Sequence, residues 1–317
     1  MKTSAAYLTL TLLWSGSYLA IHYILQVYPP FLAAAARIGI ALLILTPLAM
    51  RHRFGLPDRA RLIGPALLSG LFTMGLAWAL LFWGEQQQVA PAVVAVLNAA
   101  QPLMTMLTAP FLARRQGQFS AMQRFGILLG FGGVATVFSP QLQGSDLGAL
   151  FGMLAILGMA ASYGIAAHLT RTLTQQWSGS VIFVWQASAS LPLLLGLSWW
   201  NGEMWPTTIA VLARPAATVG LLYLGLGSTA LAFLLWYFLL RRVGSTIAST
   251  VTYCMPVVSI LLDSLFLHRL PPLPVLVGAT VIVGSVILAR HRPTWKTAMT
   301  ATPPRCSTRV ACAGGAA

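Results

Sequence analysis

Long apolar runs, each able to cross the hydrocarbon core of a bilayer, recur along almost the whole chain. Short polar or basic segments separate them. Because backbone groups in lipid must find their hydrogen-bond partners within the segment, each run is predicted to be a helix. The ten predicted spans are Ala5–Leu25, Phe31–Ala49, Leu62–Trp83, Pro91–Ala113, Met122–Phe138, Leu147–His168, Val181–Trp199, Ala216–Leu239, Thr246–Leu267 and Pro274–Ala289. The predicted fold class is an all-α integral membrane protein with ten transmembrane helices.

The two halves of the chain carry the same pattern. Val89–Arg115 and Val243–Arg269 align without a gap at an offset of 154 residues, and a proline falls at the same place in each, Pro102 and Pro256. About five spans fit inside this offset, and an odd number turns the second copy upside down in the bilayer. We therefore predict two inverted five-helix repeats, residues 1–143 and 144–289, followed by a disordered basic cytoplasmic tail at 290–317. Inverted repeats with proline-interrupted spans are typical of secondary transporters that work by alternating access.

Composition excludes an ordinary soluble domain. The chain is 57% apolar and 8% charged, with a mean hydropathy of +0.79, whereas soluble domains are about 25% charged. No segment between spans is long enough to hold a soluble domain, which excludes most enzymes. The three cysteines and five histidines show no metal-ligand spacing, so neither a metal nor a cofactor is expected.

The net charge of +14 would suggest nucleic acid in a soluble protein. If the N-terminus is cytoplasmic, however, 16 of the 19 basic residues fall on the cytoplasmic side. Such a bias sets orientation in a membrane and explains the charge without nucleic acid. We expect a multi-pass protein of the inner (plasma) membrane with both termini cytoplasmic. Its expected partners are the lipid bilayer and a small-molecule substrate, and the sequence does not indicate an oligomeric state.

Several local phrases carry a family resemblance. The Trp14-Ser-Gly-Ser phrase of the first span, the Tyr28-Pro-Pro-Phe turn and the Ala36-Arg37 step at the start of helix two resemble the drug/metabolite transporter superfamily, in particular its EamA-type branch. The stretches around Pro102 and Pro256, each followed by a glycine-rich helix, are similar to that family too. The resemblance covers about residues 5–290. It implies ten helices in two repeats and the export or exchange of small metabolites such as amino acids.

One position departs from the family pattern. Many members carry a glutamate after the fourth and ninth helices, where this chain has Arg114-Arg115 and His268-Arg269. A role for that acid in relatives therefore does not carry over to this chain.

Arg37 and Asp263 lie inside predicted spans and away from the basic cytoplasmic ends, where a charge is costly and asks for a reason. Arg37 is a candidate for binding an anion or gating, or else it snorkels to the outer interface or ties helix two to neighbouring carbonyls. Asp263 is the only acid inside a predicted span and is a candidate for proton coupling. Alternatively, Asp263 meets Arg269 or water near the outer end of its helix.

The proline of the fourth span marks the best candidate for a binding site. Pro102 has no backbone donor and leaves the carbonyl of Asn98 free, and Gln101 lies beside it. In the second repeat Thr252 aligns with Asn98, with Tyr253 next to it. Such groups can bind a polar solute at the midplane, or they can form hydrogen bonds that hold neighbouring helices together. Pro102 and the matching Pro256 are predicted hinges.

Aromatic side chains away from the membrane interfaces complete the candidate set, either as stacking surfaces for a substrate or as packing. They are Trp14, Tyr18, Trp78, Tyr163, Trp185 and Trp236. We expect helices one, three, four, six, eight and nine to line a central cavity. Two alternative functions stay open. A lipid-linked flippase on the same fold would need a lateral opening, and an intramembrane enzyme would need a buried serine paired with a histidine.

Overall fold

A computed structural model of the chain describes residues 3–52, 60–112, 121–142, 147–248 and 251–290. The regular elements in these ranges are all helices. Ten of them correspond to the predicted spans: α1 Thr3–Ile24, α2 Pro30–Met50, α3 Ala60–Gln86, α4 Pro91–Thr108, α5 Ala121–Leu142, α6 Leu147–Leu173, α7 Gly179–Trp200, α8 Pro215–Leu239, α9 Val251–Leu267 and α10 Leu273–Arg290. Helical structure continues to Leu112 in α4 and to Ala248 in α8. A short helix, Thr208–Ala213, lies between α7 and α8.

Length and composition agree with a membrane location. Within the described ranges, seven helices, α2 to α8, are at least 18 residues long and apolar enough to cross a bilayer, and the apolar parts of α9 and α10 are shorter. Large apolar side chains such as Leu43 and Leu128 point outward along these helices, as expected for a surface that faces lipid. The predicted all-α class with ten helices is confirmed. The predicted tail after Arg290 and the residues at the predicted repeat boundary, 143–146, lie outside the described residues.

Several helices begin at a proline. Pro30, Pro91 and Pro215 each occupy the first turn of their helix, after an N-cap residue outside the helical conformation. A proline is well placed there, because the first N–H groups of a helix have no partner within the helix and the ring already holds the helical φ angle. These prolines therefore mark where α2, α4 and α8 start.

Three helices continue three to five residues beyond their predicted ends: α3, α5 and α6. α5 was predicted as a short span ending at Phe138, but it continues to Leu142 and includes Pro140 near its end. α3 was predicted to end at Trp83, but it continues to Gln86. The longer α3 places Glu85 in its last turn, where this acid is buried.

The fifth and tenth helices, which close the two repeats, pack along each other through glycines. A β-carbon on Gly133 would come within 2.9 Å of an Ile282 side-chain carbon, and one on Gly278 within 2.8 Å of the Gly133 carbonyl oxygen. Small residues of this kind let helices in lipid approach closely. The other helices surround the polar interior described below, with α1 against α8 and α9, α2 against α7 and α8, and α6 against α3 and α4.

Three spans contain wider, π-helical turns that the sequence did not predict. They lie at Leu71–Leu76 in α3, Tyr223–Leu231 in α8 and Asp263–Leu267 in α9. Adding the 154-residue offset to Leu71–Leu76 gives positions 225–230, which lie inside the π-helical segment of α8. The feature therefore occurs at matched places in the two halves. Such turns are often found at functional sites, because they move side chains away from the regular helical positions.

The two predicted hinges differ in local structure. α4 is interrupted between Asn98 and Gln101, directly before Pro102, where the backbone bonds tighten to the i−3 pattern. Pro102 thus falls in the first turn of the second part of α4, where its missing N–H costs little. Pro256 instead lies inside the continuous helix Val251–Leu262.

Candidate functional site

A buried arginine lies at the centre of the candidate site. Arg37, on α2, is only 3% exposed. Its Nε donates to Thr229 Oγ1 at 2.6 Å, and its Nη2 donates to Ser228 Oγ at 3.1 Å and, more weakly, to the Ser228 carbonyl at 3.4 Å. The guanidinium also stacks over Trp78, 4.0 Å from the ring centroid. Arg37 therefore lies in the interior and does not snorkel to the outer interface.

No counter-ion for Arg37 lies in the part of the chain that the structure describes. Among the described residues no carboxylate lies within ion-pair distance of the guanidinium, although the charge of Glu85 is near enough to interact with it. A buried cation is stabilised when hydrogen bonds and an aromatic face replace its water. Those contacts leave the positive charge available to an anion.

The hydroxyls that hold Arg37 come from the π-helical segment of α8. Ser228 and Thr229 are adjacent in the chain, and both are fully buried. In a regular helix, neighbouring side chains point about 100° apart. In the wider turn at Tyr223–Leu231, both hydroxyls reach the same guanidinium.

Aromatic rings surround this polar centre. Phe233, on α8, is their meeting point, because its ring contacts those of Trp14, Trp78 and Tyr237 with centroids 6.0 to 6.3 Å apart. Trp14 also packs against Trp236 at 5.4 Å. These geometries are edge-on or tilted, as favoured for aromatic pairs. The site therefore combines a fixed cation with a broad aromatic surface.

Two tyrosine hydroxyls add polar groups near the arginine. Trp78 Nε1 donates to the Tyr163 hydroxyl at 2.9 Å, and Asn98 Nδ2 donates to the Tyr18 hydroxyl at 2.9 Å. Both tyrosines lie within electrostatic range of Arg37. Asn98 thus ties α4 to α1, while its carbonyl oxygen Oδ1 is buried and has no partner. That oxygen remains available as an acceptor.

Two acids lie at the ends of the helices next to this cluster. Asp263 Oδ2 accepts a hydrogen bond from the Ala92 N–H at 2.9 Å, at the start of α4, and its Oδ1 has no partner. Glu85 is 3% exposed, and neither of its carboxyl oxygens has a hydrogen-bond partner. The charge of Glu85 interacts with those of Asp263 and Arg37.

The structure brings most of the sequence candidates together around Arg37. These are Trp14, Tyr18, Trp78, Asn98, Tyr163 and Trp236. Asp263 is linked to this group by charge, because Glu85 interacts electrostatically with both Asp263 and Arg37.

Two other candidates, Tyr253 and Trp185, pack in apolar surroundings. Tyr253 packs in a separate apolar cluster with Leu103 and Val286, and Trp185 packs on the edge of the main core. Thr252 is buried, and Gln101 is partly exposed.

Four residues of the site were missed by the sequence analysis. Ser228, Thr229 and Phe233 are ordinary residues of a membrane helix, and no sequence signal distinguishes them. Glu85 was left outside the third predicted span, which ended at Trp83. The burial of Glu85 could have been predicted by extending α3 one turn beyond Trp83.

Two Ser-Gly-Ser stretches, which begin at Ser15 and Ser178, do not form an activated nucleophile. The Ser15 hydroxyl donates to the Thr11 carbonyl at 2.7 Å, and the Ser178 hydroxyl pairs with that of Ser180 at 3.2 Å. Within the described parts of the chain, no serine is hydrogen-bonded to a histidine. The arrangement can bind charged and aromatic groups, but it does not assemble an activated hydroxyl.

Comparisons with known proteins agree with the repeat architecture. The sequence model of the EamA-like transporter family matches the chain twice, over residues 2–139 and 150–290. The uncharacterized transporter YoaV of Bacillus subtilis strain 168 is 24% identical over 292 residues, which cover 91% of this chain and 96% of that protein. The uncharacterized inner membrane transporter YedA of Escherichia coli K12 is 23% identical over 260 residues, covering 82% of this chain and 81% of YedA. The two matches of one family model confirm the predicted duplication.

Two further proteins are informative. A probable terminal-alkyne amino-acid exporter of Streptantibioticus cattleyicolor is 25% identical over 314 residues, covering 96% of this chain and all of that protein, 100%. A solved crystal structure with 20% identity superposes with a TM-score of 0.62, covering 91% of this chain and 96% of the solved one. The latter shows a shared fold.

Proposed function

The chain belongs to the EamA-like transporter family, and we propose that it exports or exchanges a small amphipathic metabolite that carries a carboxylate, such as an amino acid. The family is one of multi-pass membrane transporters, not of enzymes. The proposal adds the chemical class of the solute and the residues that bind it.

The observation that carries the proposal is the unpaired charge of Arg37. Arginine presents N–H groups in a planar fork that matches a carboxylate. The bonds to Ser228 and Thr229 use Nε and Nη2, and among the described residues Nη1 has no hydrogen bond. A solute carboxylate at Nη1 would supply the missing counter-ion and would offset the cost of burying the cation.

The aromatic surface favours a solute with an apolar part. Trp14, Trp236 and Phe233 pack together, and Phe233 also contacts Trp78, the ring on which Arg37 stacks. An apolar side chain against this face would gain free energy from burial, and the carboxylate would set its orientation. The printed name of the Streptantibioticus cattleyicolor relative, an amino-acid exporter, is consistent with this class.

We further propose that transport proceeds by alternating access around this midplane site, with both termini on the cytoplasmic side of the plasma (inner) membrane. The break in α4 before Pro102 supports a hinge there, because a helix with missing backbone bonds bends at lower cost. The Lys/Arg asymmetry of the loops supports the orientation.

The experiment is exchange into proteoliposomes loaded with amino acids. The probes are phenylalanine, hydrocinnamate (which lacks the amine) and phenethylamine (which lacks the carboxylate). We expect phenylalanine to exchange, hydrocinnamate to compete and phenethylamine to compete poorly. Arg37→Gln should abolish competition by hydrocinnamate. Arg214→Gln, which removes an exposed arginine bonded to Gln26, is the matched control and should leave exchange intact.

Two results would contradict the proposal. Phenethylamine that competes as strongly as hydrocinnamate would show that the carboxylate is not recognised. Arg37→Gln protein with wild-type affinity for hydrocinnamate would show that Arg37 does not recognise it.

A further inference from the structure

Among the described residues, Glu85 is the side chain with two buried polar atoms that lack a partner. Both of its carboxyl oxygens are buried and lack hydrogen-bond partners. Its backbone is held in place by close packing, because a β-carbon on the preceding Gly84 would lie 2.9 Å from the Gly152 carbonyl of α6. A buried carboxylate without partners is very unfavourable. It is relieved by a proton or by a cationic group.

The neighbours of Glu85 define what it would bind. Asp263 of α9 is a like charge near it, and Arg37 of α2 is an opposite charge at a longer distance than an ion pair. The Tyr18 hydroxyl of α1 lies within electrostatic range.

The remaining titratable groups on the packed helices are engaged elsewhere. On α6, Tyr163 is bonded to Trp78 and the His168 ring to the Thr105 carbonyl. His22 of α1 lies near Arg269, a like charge when the imidazole is protonated. Glu85 therefore faces one acid, one arginine and one phenol.

The two acids have different tasks. Asp263 already caps the start of α4 through the Ala92 N–H, which stabilises that helix end. Glu85 makes no such bond. Of the two, Glu85 is the group that is free to exchange a ligand.

Resting on the proposed function, we infer that Glu85 is a coupling site that a proton and the ammonium group of the solute occupy in turn. An amino acid carries both charges, so its carboxylate pairs with Arg37 and its ammonium pairs with Glu85. When a proton binds from the outer face, the Glu85 carboxylate becomes a neutral acid, and the ammonium group leaves with its own proton. On the cytoplasmic side the acid loses its proton to water, and the carboxylate is restored. Export of one solute is thereby tied to entry of one proton.

The test measures binding of phenylalanine and of hydrocinnamate to the purified full-length protein over a series of pH values. If a proton and an ammonium group compete for one carboxylate, the Kd of phenylalanine rises on acidification by about tenfold per pH unit. Hydrocinnamate has no ammonium group, so its Kd should not rise over the same range. This comparison uses only wild-type protein and does not depend on how any variant folds.

Variants then locate the proton. Glu85→Gln should bind phenylalanine more weakly and without pH dependence, and it should bind hydrocinnamate as the wild type does. Asp263→Asn keeps an acceptor for the Ala92 N–H and should retain the pH dependence. Glu203→Gln is the matched control, because Glu203 is an acid that already accepts from the N–H groups of Phe31 and Leu32.

The outcomes separate the two proposals. If neither phenylalanine nor hydrocinnamate binds the wild type, the proposed function itself fails. If both bind but the Kd of phenylalanine does not change with pH, or if Glu85→Gln retains the change, the coupling site is refuted while the proposed function stands. Accumulation of phenylalanine that is driven by a sodium gradient and not by a pH gradient would also refute it.

Discussion

Replacing Thr229 with valine tests whether the α8 hydroxyls hold the buried arginine. Valine has nearly the same shape as threonine but no hydroxyl, so packing is preserved and a single hydrogen bond is removed. That bond is the 2.6 Å contact from Arg37 Nε, at a position with no exposed surface. The change leaves one N–H of a buried cation without an acceptor.

The expected cost follows from this geometry. Leaving a buried polar group unsatisfied costs about 1 to 3 kcal/mol, and the cost is higher when the group is charged. Arg37 keeps its bonds to Ser228 and its stacking on Trp78, so the fold should survive. We expect Thr229→Val to lower the free energy of unfolding by about 2 kcal/mol, which is about a thirtyfold change in the unfolding equilibrium.

The assay is unfolding of the purified protein in mixed detergent micelles with increasing denaturing detergent, followed by tryptophan fluorescence. Thr218→Val on the same helix is the matched control, because the Thr218 hydroxyl is buried and already lacks a partner. Its removal should not lower the free energy of unfolding, because a buried hydroxyl without a partner is itself unfavourable. Equal effects of the two substitutions would refute the reasoning, since they would show that the hydroxyl of Thr229 does not stabilise the arginine.

Three further predictions test packing, hinges and orientation. Gly84→Ala should destabilise the protein by about 1 to 3 kcal/mol through overpacking. The control is Gly39→Ala, which should be tolerated because the added methyl group would point into open space. Equal thermal midpoints of the two variants would contradict this prediction. Pro102→Ala should slow exchange in proteoliposomes more than Pro256→Ala, because only α4 is interrupted at its proline; a larger effect at Pro256 would reverse the assignment. In protein with Cys254 replaced by serine, the remaining cysteines, Cys306 and Cys312, should react with a membrane-impermeant maleimide in inside-out vesicles only. Labelling in intact cells would place the C-terminus outside.

The sequence was sufficient to predict the helical class, the number of helices and the duplication. Hydropathy and the requirement for internal backbone hydrogen bonds act within a single segment, so each span could be predicted without knowledge of its neighbours. The same holds for the helix starts at Pro30, Pro91 and Pro215, since a proline acts on its own turn. Arg37 could be singled out for a similar reason, because a charge in an apolar run is costly wherever the helix lies.

The partners of these residues depended on contacts between distant parts of the chain. Arg37 meets Ser228 and Thr229 across more than half of the sequence, and nothing in the local pattern of α8 marks those two hydroxyls. Glu85 shows the same limit, because whether the last turn of a helix faces water or protein is decided by the helices packed around it. Local hydrophobicity therefore determined the helices, whereas the three-dimensional packing of those helices determined which polar groups are buried without a partner, and so where a solute would bind.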